Sequence, residues 1–260
     1  MKKLGLALSG GGTRGIAHAG FLKALDEHEI KVHSIVGCSM GSIVGAAYCL
    51  GRAPEEMRDM FYNFKHNDIV DIDLMPIRNL SIVKGEKVYK IVRNFFKHAK
   101  FEDCKIPFAC TAVDLVSCEE VVFTEGDIQQ AVLASSAIPS VFRPVRIGKQ
   151  ILIDGGIINR IPVNIAKSFG AEVVIAVDAV EFNTESVEIN NIFQLIARTL
   201  EVADYQQTKN QLKQNKADLL LIPSMPGVSL YKVKNMQEAY ESGYKVAVDN
   251  IKKIKKLINK

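Results

Sequence analysis

The frame Gly37-Cys38-Ser39-Met40-Gly41 follows directly on the apolar run Ile35-Val36. A serine with glycines two residues to either side, placed after a strand, fits a sharp strand-to-helix turn that carries the hydroxyl to the top of a sheet. Side chains at Gly37 and Gly41 would collide with the turn, so glycine is the residue that fits. The hydroxyl on such a corner is exposed and strained, but at its free pKa it is a poor nucleophile and needs a base beside it.

The rest of the chain supplies the sheet that this turn requires. Short apolar runs predict strands over 4–8, 33–36, 106–116, 121–124, 150–153, 173–177 and 219–222. Helical spacing predicts helices over 13–29, 42–48, 54–65, 85–97, from 128, and over 162–170, 190–214 and 233–258. Thr13 and Asp127 stand where N-caps are expected, and Gly51, Pro54, Pro162 and Gly170 punctuate the helices. Alternating strands and helices imply an α/β fold with three α/β/α layers, a mostly parallel central sheet and helices on both faces. No repeat or linker divides the chain, so residues 1–260 read as a single domain, with elements of the C-terminal part over 188–260. Residues 66–83 crowd apolar side chains without periodicity. They read as a lid or acyl-chain wall, or as an ordinary packed connection.

Composition narrows the function classes. Of the 260 residues, 48% are hydrophobic and 24% charged, which suits a soluble domain with a sizeable core. A net charge of +4 is too weak to argue for nucleic acid. The cysteines Cys38, Cys49, Cys104, Cys110 and Cys118 form no CxxC pair, which favours reduced thiols and a cytoplasmic setting. Cys38 reads as a small filler beside the serine. The apolar start 4–8 ends at Gly10, too short for a signal peptide, and no stretch approaches the length of a membrane span. The tail 251–258 is a basic amphipathic helix. Its apolar side docks on the domain, or it makes a peripheral contact with the anionic inner face of a membrane.

Gly10, Gly12 and Gly15 follow the first strand and match G-x-G-x-x-G, the dinucleotide pattern. That reading needs an acidic residue at the end of the second strand for the ribose hydroxyl, and the Ser39 frame stands there instead. A Walker loop fails because Gly15 is followed by Ile16 and Ala17. The favoured alternative is an oxyanion hole in which backbone N–H groups of Gly10, Gly11 and Gly12 face an anionic oxygen, with a purely structural turn as the remaining reading. Arg14 holds loop carbonyls, attracts an anionic head group, or simply lies in solvent.

No histidine occupies the place of a hydrolase base. His18, His28 and His33 precede the serine, while His66 and His98 sit by polar helix ends, so each reads as a core or surface residue. Asp154 ends the strand at 150–153 and is followed by Gly155 and Gly156. Catalytic groups collect at strand ends of α/β sheets, and a carboxylate there could take the serine proton directly. The competing reading is a turn aspartate.

Gly10-Gly11-Gly12-Thr13-Arg14-Gly15, the Ser39 frame, Asp154-Gly155-Gly156 and the block Ala134 to Pro139 occur in that order, apart from the last block preceding Asp154. The set resembles the patatin-like phospholipases and spans residues of about 5–180. Ser9 stands where plant members carry an aspartate, which is more similar to the short bacterial members. The resemblance implies a Ser39–Asp154 dyad without histidine, an oxyanion loop of Gly10, Gly11 and Gly12 joined by Met40, and positioning by Arg14 and Gly15. It implies no metal and no cofactor, and a lipid or other acyl ester as substrate. A non-catalytic regulatory or scaffold protein on the same fold is the alternative class, and a nucleotide-binding enzyme a weaker one.

Overall fold

A computed structural model describes residues 1–62, 85–181, 189–229 and 235–260. The order of its elements is β1 (Leu4–Leu8), a 3-10 turn (Gly12–Ile16), α1 (Ala17–Glu27), β2 (Ser34–Cys38), α2 (Met40–Cys49), α3 (Pro54–Tyr62) and α4 (Glu86–Phe96). There follow β3 (Phe108–Asp114), β4 (Glu119–Phe123), α5 (Ile128–Ser135), β5 (Val145–Ile147), β6 (Gln150–Asp154), α6 (Gly156–Asn159) and α7 (Val163–Ser168). The last elements are β7 (Val173–Val177), α8 (Ile192–Gln214), β8 (Leu219–Leu221) and α9 (Met236–Ile258). The expected lid segment 66–83 lies outside the described residues.

Among the described residues eight strands form one sheet, in the order β5-β6-β3-β2-β1-β7-β8, with β4 also paired to β3. From β3 through β2, β1 and β7 to β8 every pairing is parallel. The pairings of β3 with β4 and β6, and of β5 with β6, are antiparallel. Strand β5 escapes sequence reading because three residues are too few to show alternation; it joins β6 through Gly148, whose φ is 58°.

Alternation along the parallel strands separates the two faces. Leu4, Leu6 and Leu8 point into the larger core with Leu22, Leu25, Val44, Ala47 and Ile254. Ala7, Val36, Ala109, Val174 and Ala176 form the opposite face with Val163 and Ala166 of α7, and Leu212 of α8 packs at its margin. Small residues dominate that second face, which brings α7 close to the sheet.

Two local expectations change. The helix expected from residue 13 opens as a 3-10 turn, and Thr13 does not cap it; its Oγ1 donates to the Ser229 carbonyl at 2.5 Å. Gly12 enters the turn at φ 51°, which tightens the chain before α1 can begin at Ala17. Asp127, by contrast, caps α5 by accepting the Gln130 N–H at 2.9 Å. The apolar side of the tail docks on the domain: Ile251, Ile254 and Ile258 are buried, while Lys252, Lys253, Lys255 and Lys256 are exposed. No helix of the described residues is long and apolar enough to cross a membrane.

Helices α1 and α9 cross at van der Waals distance through glycine. A Cβ on Gly243 would stand 1.8 Å from the Ala17 carbonyl oxygen, and one on Gly20 would stand 1.9 Å from that of Tyr240. Gly243→Ala is therefore expected to force the helices apart and destabilise the protein by about 1–3 kcal/mol, the usual range for overpacking. Urea unfolding checks this, and an unchanged midpoint would contradict the packing.

Candidate active site

One edge of β3 is shared by two strands. Residues 108–111 pair with β2, and residues 112–114 pair with β6, while β4 lies along the opposite edge. Strand β2 runs parallel to β3 and β6 antiparallel, so the C-terminal ends of β2 and β6 meet head to head. Cys38 is opposite Thr111 and Asp154 is opposite the next residue, Ala112. Ser39, the first residue after β2, thus arrives beside Asp154, the last residue of β6.

Ser39 adopts φ 51° and ψ −123°. A non-glycine residue in this region carries backbone strain of about 1–3 kcal/mol and needs its surroundings to hold it. Its N–H donates to Ser135 Oγ at 2.9 Å, and its carbonyl accepts from the N–H and Oγ of Ser42 at 2.9 and 2.6 Å. The flanking glycines are sterically required: a Cβ on Gly41 would lie 2.4 Å from the Leu8 carbonyl oxygen, and one on Gly37 would lie 2.4 Å from that of Gly41. Helix α2 begins at Met40, so its positive end points at the serine.

Asp154 is buried, with 7% of its surface exposed. Its Oδ1 accepts the Gly156 N–H at 2.8 Å and faces the Cys38 thiol at 3.8 Å, and its own N–H donates to the Ala137 carbonyl at 3.0 Å. Burial pushes its pKa up to about 6; the Ser39 hydroxyl, the Gly156 N–H and the Cys38 thiol pull it back, and the charge of Asp204 adds to the rise. A carboxylate with that affinity for protons is a better base than an exposed aspartate. Gly155 packs against Thr111, where a side chain would not fit.

The glycine loop approaches the serine from β1. A Cβ on Gly10 would lie 3.3 Å from that of Ser39, and Gly15 lies against Met40. The Gly10 N–H is donated to the Arg160 carbonyl at 3.1 Å. The N–H groups of Gly11, Gly12 and Met40 find no acceptor among the described residues. Arg14 is half-buried and reaches away from the loop's own carbonyls: Nε donates to Val228 O at 2.7 Å and Nη1 to Glu181 O at 3.4 Å.

These groups line a cleft of about 340 Å³. Gly10, Gly11, Gly12, Ser39, Asp154 and Gly156 meet there with the apolar residues Ile138, Pro139, Val141, Ile157, Val180 and Leu200. Arg14, Arg160, Glu181, Arg198, Glu201 and Asp204 complete the lining.

The described histidines stand elsewhere. His18 is fully buried and its Nε2 donates to the Ser9 carbonyl at 2.9 Å; burial lowers its pKa to about 4, so it is neutral near pH 7. His33 lies by the N-terminal end of β1, where its N–H donates to Leu4, at the opposite end of the sheet from Ser39. His28 ends α1 and His98 is exposed beyond α4; His66 is outside the described residues.

Sequence reading passes over five residues of this region. Ser135 falls within the block 134–139 but carries no sign of its contact with Ser39. Cys38, read as filler, touches Asp154. Asp178 directly follows β7, the same strand-end position that singles out Asp154. Arg160 and Asp204 are marked only by charge, and their pairing across 44 residues is invisible before folding.

The profile of the patatin-like phospholipase family matches residues 6–167. A patatin-like phospholipase domain-containing protein of Caenorhabditis elegans is 32% identical over 185 residues, covering 67% of this chain and 16% of that protein. An NTE family protein of Mycobacterium tuberculosis is 33% identical over 175 residues, covering 67% of this chain and 48% of that protein. The chain thus spans less than half the length of these curated relatives. In three dimensions it resembles VipD from Legionella pneumophila, with a TM-score of 0.60 at 13% identity over 97% of this chain and 67% of that one. It also resembles the type III effector protein ExoU, with a TM-score of 0.51 at 14% identity over 97% of this chain and 53% of that one. With its ordered glycine loop, serine turn and strand-end aspartate inside the matched region, the chain belongs to the patatin-like phospholipase family.

Proposed function

We propose that this chain is a serine acyl hydrolase cleaving carboxylic esters of lipids, of the phospholipase A, lysophospholipase or esterase type. The observation that carries the reading is the meeting of Ser39 and Asp154 at the abutting ends of β2 and β6. Membership of a phospholipase family and the mostly apolar cleft support a lipid ester over a small polar one. The aspartate and the cleft require neither metal nor cofactor for the steps that follow.

Ser39 Oγ attacks the ester carbonyl carbon while Asp154 accepts its proton. The carbonyl oxygen becomes an oxyanion held by the N–H groups of Gly11, Gly12 and Met40, the donors left without an acceptor among the described residues. Gly10 contributes geometry to this hole, since its N–H is already given to Arg160. Collapse breaks the bond to the alcohol, which leaves with the proton from Asp154 and leaves the acyl group on Ser39. Water attacks that ester, Asp154 takes the water proton, and a second collapse returns it to Ser39 as the free acid departs.

Ser39→Ala removes the nucleophile and Asp154→Asn the base. Each is expected to lower hydrolysis of 4-nitrophenyl butyrate at least about a thousandfold, the scale on which a covalent catalytic unit fails when one member is lost. A steady-state assay checks this, and near wild-type turnover in either variant would sink the dyad. The pH profile provides a second check. Asp154 acts as base only when ionised, so activity is expected to fall as pH drops through about 6. Activity that stays flat down to pH 4 would rule out a carboxylate with the raised pKa as the base.

A further inference from the structure

A buried arginine stands behind the glycine loop, and the steps above make no use of its side chain. Only 7% of Arg160 is exposed. Its guanidinium makes a fork to Asp178, through Nη1 to Oδ1 and Nη2 to Oδ2, and its Nε lies 2.9 Å from Asp204 Oδ2. A guanidinium taken out of water is tolerated only when paired in this way. Two carboxylates from two elements, one after β7 and one in α8, therefore converge on one cation.

The same residue touches the catalytic region through its main chain. Its carbonyl accepts the Gly10 N–H at 3.1 Å, and its Cγ would stand 3.5 Å from a Cβ on Gly10. Asp178 is joined to the other side of that loop: its neighbour Ala179 donates N–H to Ser9 Oγ at 2.8 Å, and Asp178 Oδ1 accepts the Val180 N–H at 3.0 Å. Ser9 N–H donates to Val177 O at 3.1 Å. The loops after β1, β6 and β7 are thus tied to one another through Arg160 and Asp178.

We propose that Arg160 is the positioning residue of the oxyanion loop: the carboxylates of Asp178 and Asp204 fix its side chain, and its carbonyl fixes Gly10. The N–H groups of Gly11 and Gly12, one and two residues further on, are thereby kept aimed at a constant point beside Ser39. This inference rests on the acyl-transfer reading of the site. Lysine cannot replace the arginine, because one ammonium lacks the planar fork that spans two oxygens of Asp178 while Nε serves Asp204.

The arrangement also carries charge to the base. Asp154 is faced by Cys38 from β2, by Ser39 from the turn, by the Gly156 N–H and by the charge of Asp204 in α8. Arg160 offsets Asp204 and Asp178, and Asp178 also acts on His18 in α1. Removing the cation leaves two carboxylates uncompensated, whereas removing Asp204 takes away a charge that disfavours ionised Asp154.

The test compares Arg160→Lys, Arg160→Met, Asp204→Asn and Ser39→Ala in the full chain. Hydrolysis of 4-nitrophenyl butyrate is followed across pH, with the rate of covalent labelling by a fluorophosphonate, and folding is verified by circular dichroism. Arg160→Lys keeps the charge and loses the fork. It is expected to lose about 10- to 100-fold in kcat and in labelling rate, the scale of a misplacement of about 1 Å, with KM and the acid limb little changed. Arg160→Met is expected to show that loss together with an acid limb moved to higher pH. Asp204→Asn, which leaves the pair with Asp178, is expected to show a smaller kcat loss and an acid limb moved to lower pH. Folded Arg160→Lys with wild-type kcat and labelling overturns the proposal. If neither Arg160 variant folds, Asp204→Asn decides: wild-type kcat with an unmoved acid limb overturns it equally. Ser39→Ala separates the two levels, since labelling and turnover that persist there refute the acyl-transfer reading itself, while their loss leaves only the role of Arg160 in question.

Discussion

The edge of β3 that passes from β2 to β6 between Thr111 and Ala112 is the constraint on which the site depends. In a wholly parallel sheet, neighbouring strands run side by side and their C-terminal ends are a full strand spacing apart or more. Here an antiparallel strand ends against the end of a parallel one, and two loops enter the same space from opposite directions. Backbone hydrogen bonds of the sheet, which form cooperatively with the core on both faces, set the position of Ser39 relative to Asp154. No long side chain has to be ordered to bring the two together, because the sheet register itself sets their separation.

Burial then gives these residues their chemical character. Burial of Asp154 raises its proton affinity, yet it retains three partners that favour the charge: Ser39, Gly156 and Cys38. The balance places it near pH 6, low enough to be ionised at neutrality and high enough to accept a proton. Strain at Ser39 is supported by Ser135 and Ser42, and the loop facing it is supported by Arg160. In each case a neighbouring polar network holds a conformation that the chain alone would not favour.

Much of this is legible in the sequence where the signal is local. Gly37 and Gly41 reveal the turn because steric conflict depends only on neighbouring backbone, and Asp154 is visible because apolar residues lead into it and glycines follow. The absence of a histidine in the hydrolase position is likewise a property of order along the chain. What is not legible is registration between distant segments. Strand β5 is too short to declare itself, Thr13 contacts Ser229 instead of capping a helix, and Arg160 meets Asp178 and Asp204 only after the sheet and α8 are in place. Such ion pairs leave no periodic trace, since a charged residue reads as solvated until burial is known.

The covalent step is the centre of the account, and the most direct measurement is mass spectrometry of the acyl-enzyme. The protein is mixed with 4-nitrophenyl butyrate, quenched in acid during turnover, and digested for peptide mapping. The account requires one butyryl group on the peptide that carries Ser39, localised to Ser39 itself and lost in Ser39→Ala. Turnover with the adduct on Cys38, or with Ser39 unmodified while Ser39→Ala remains active, would contradict it.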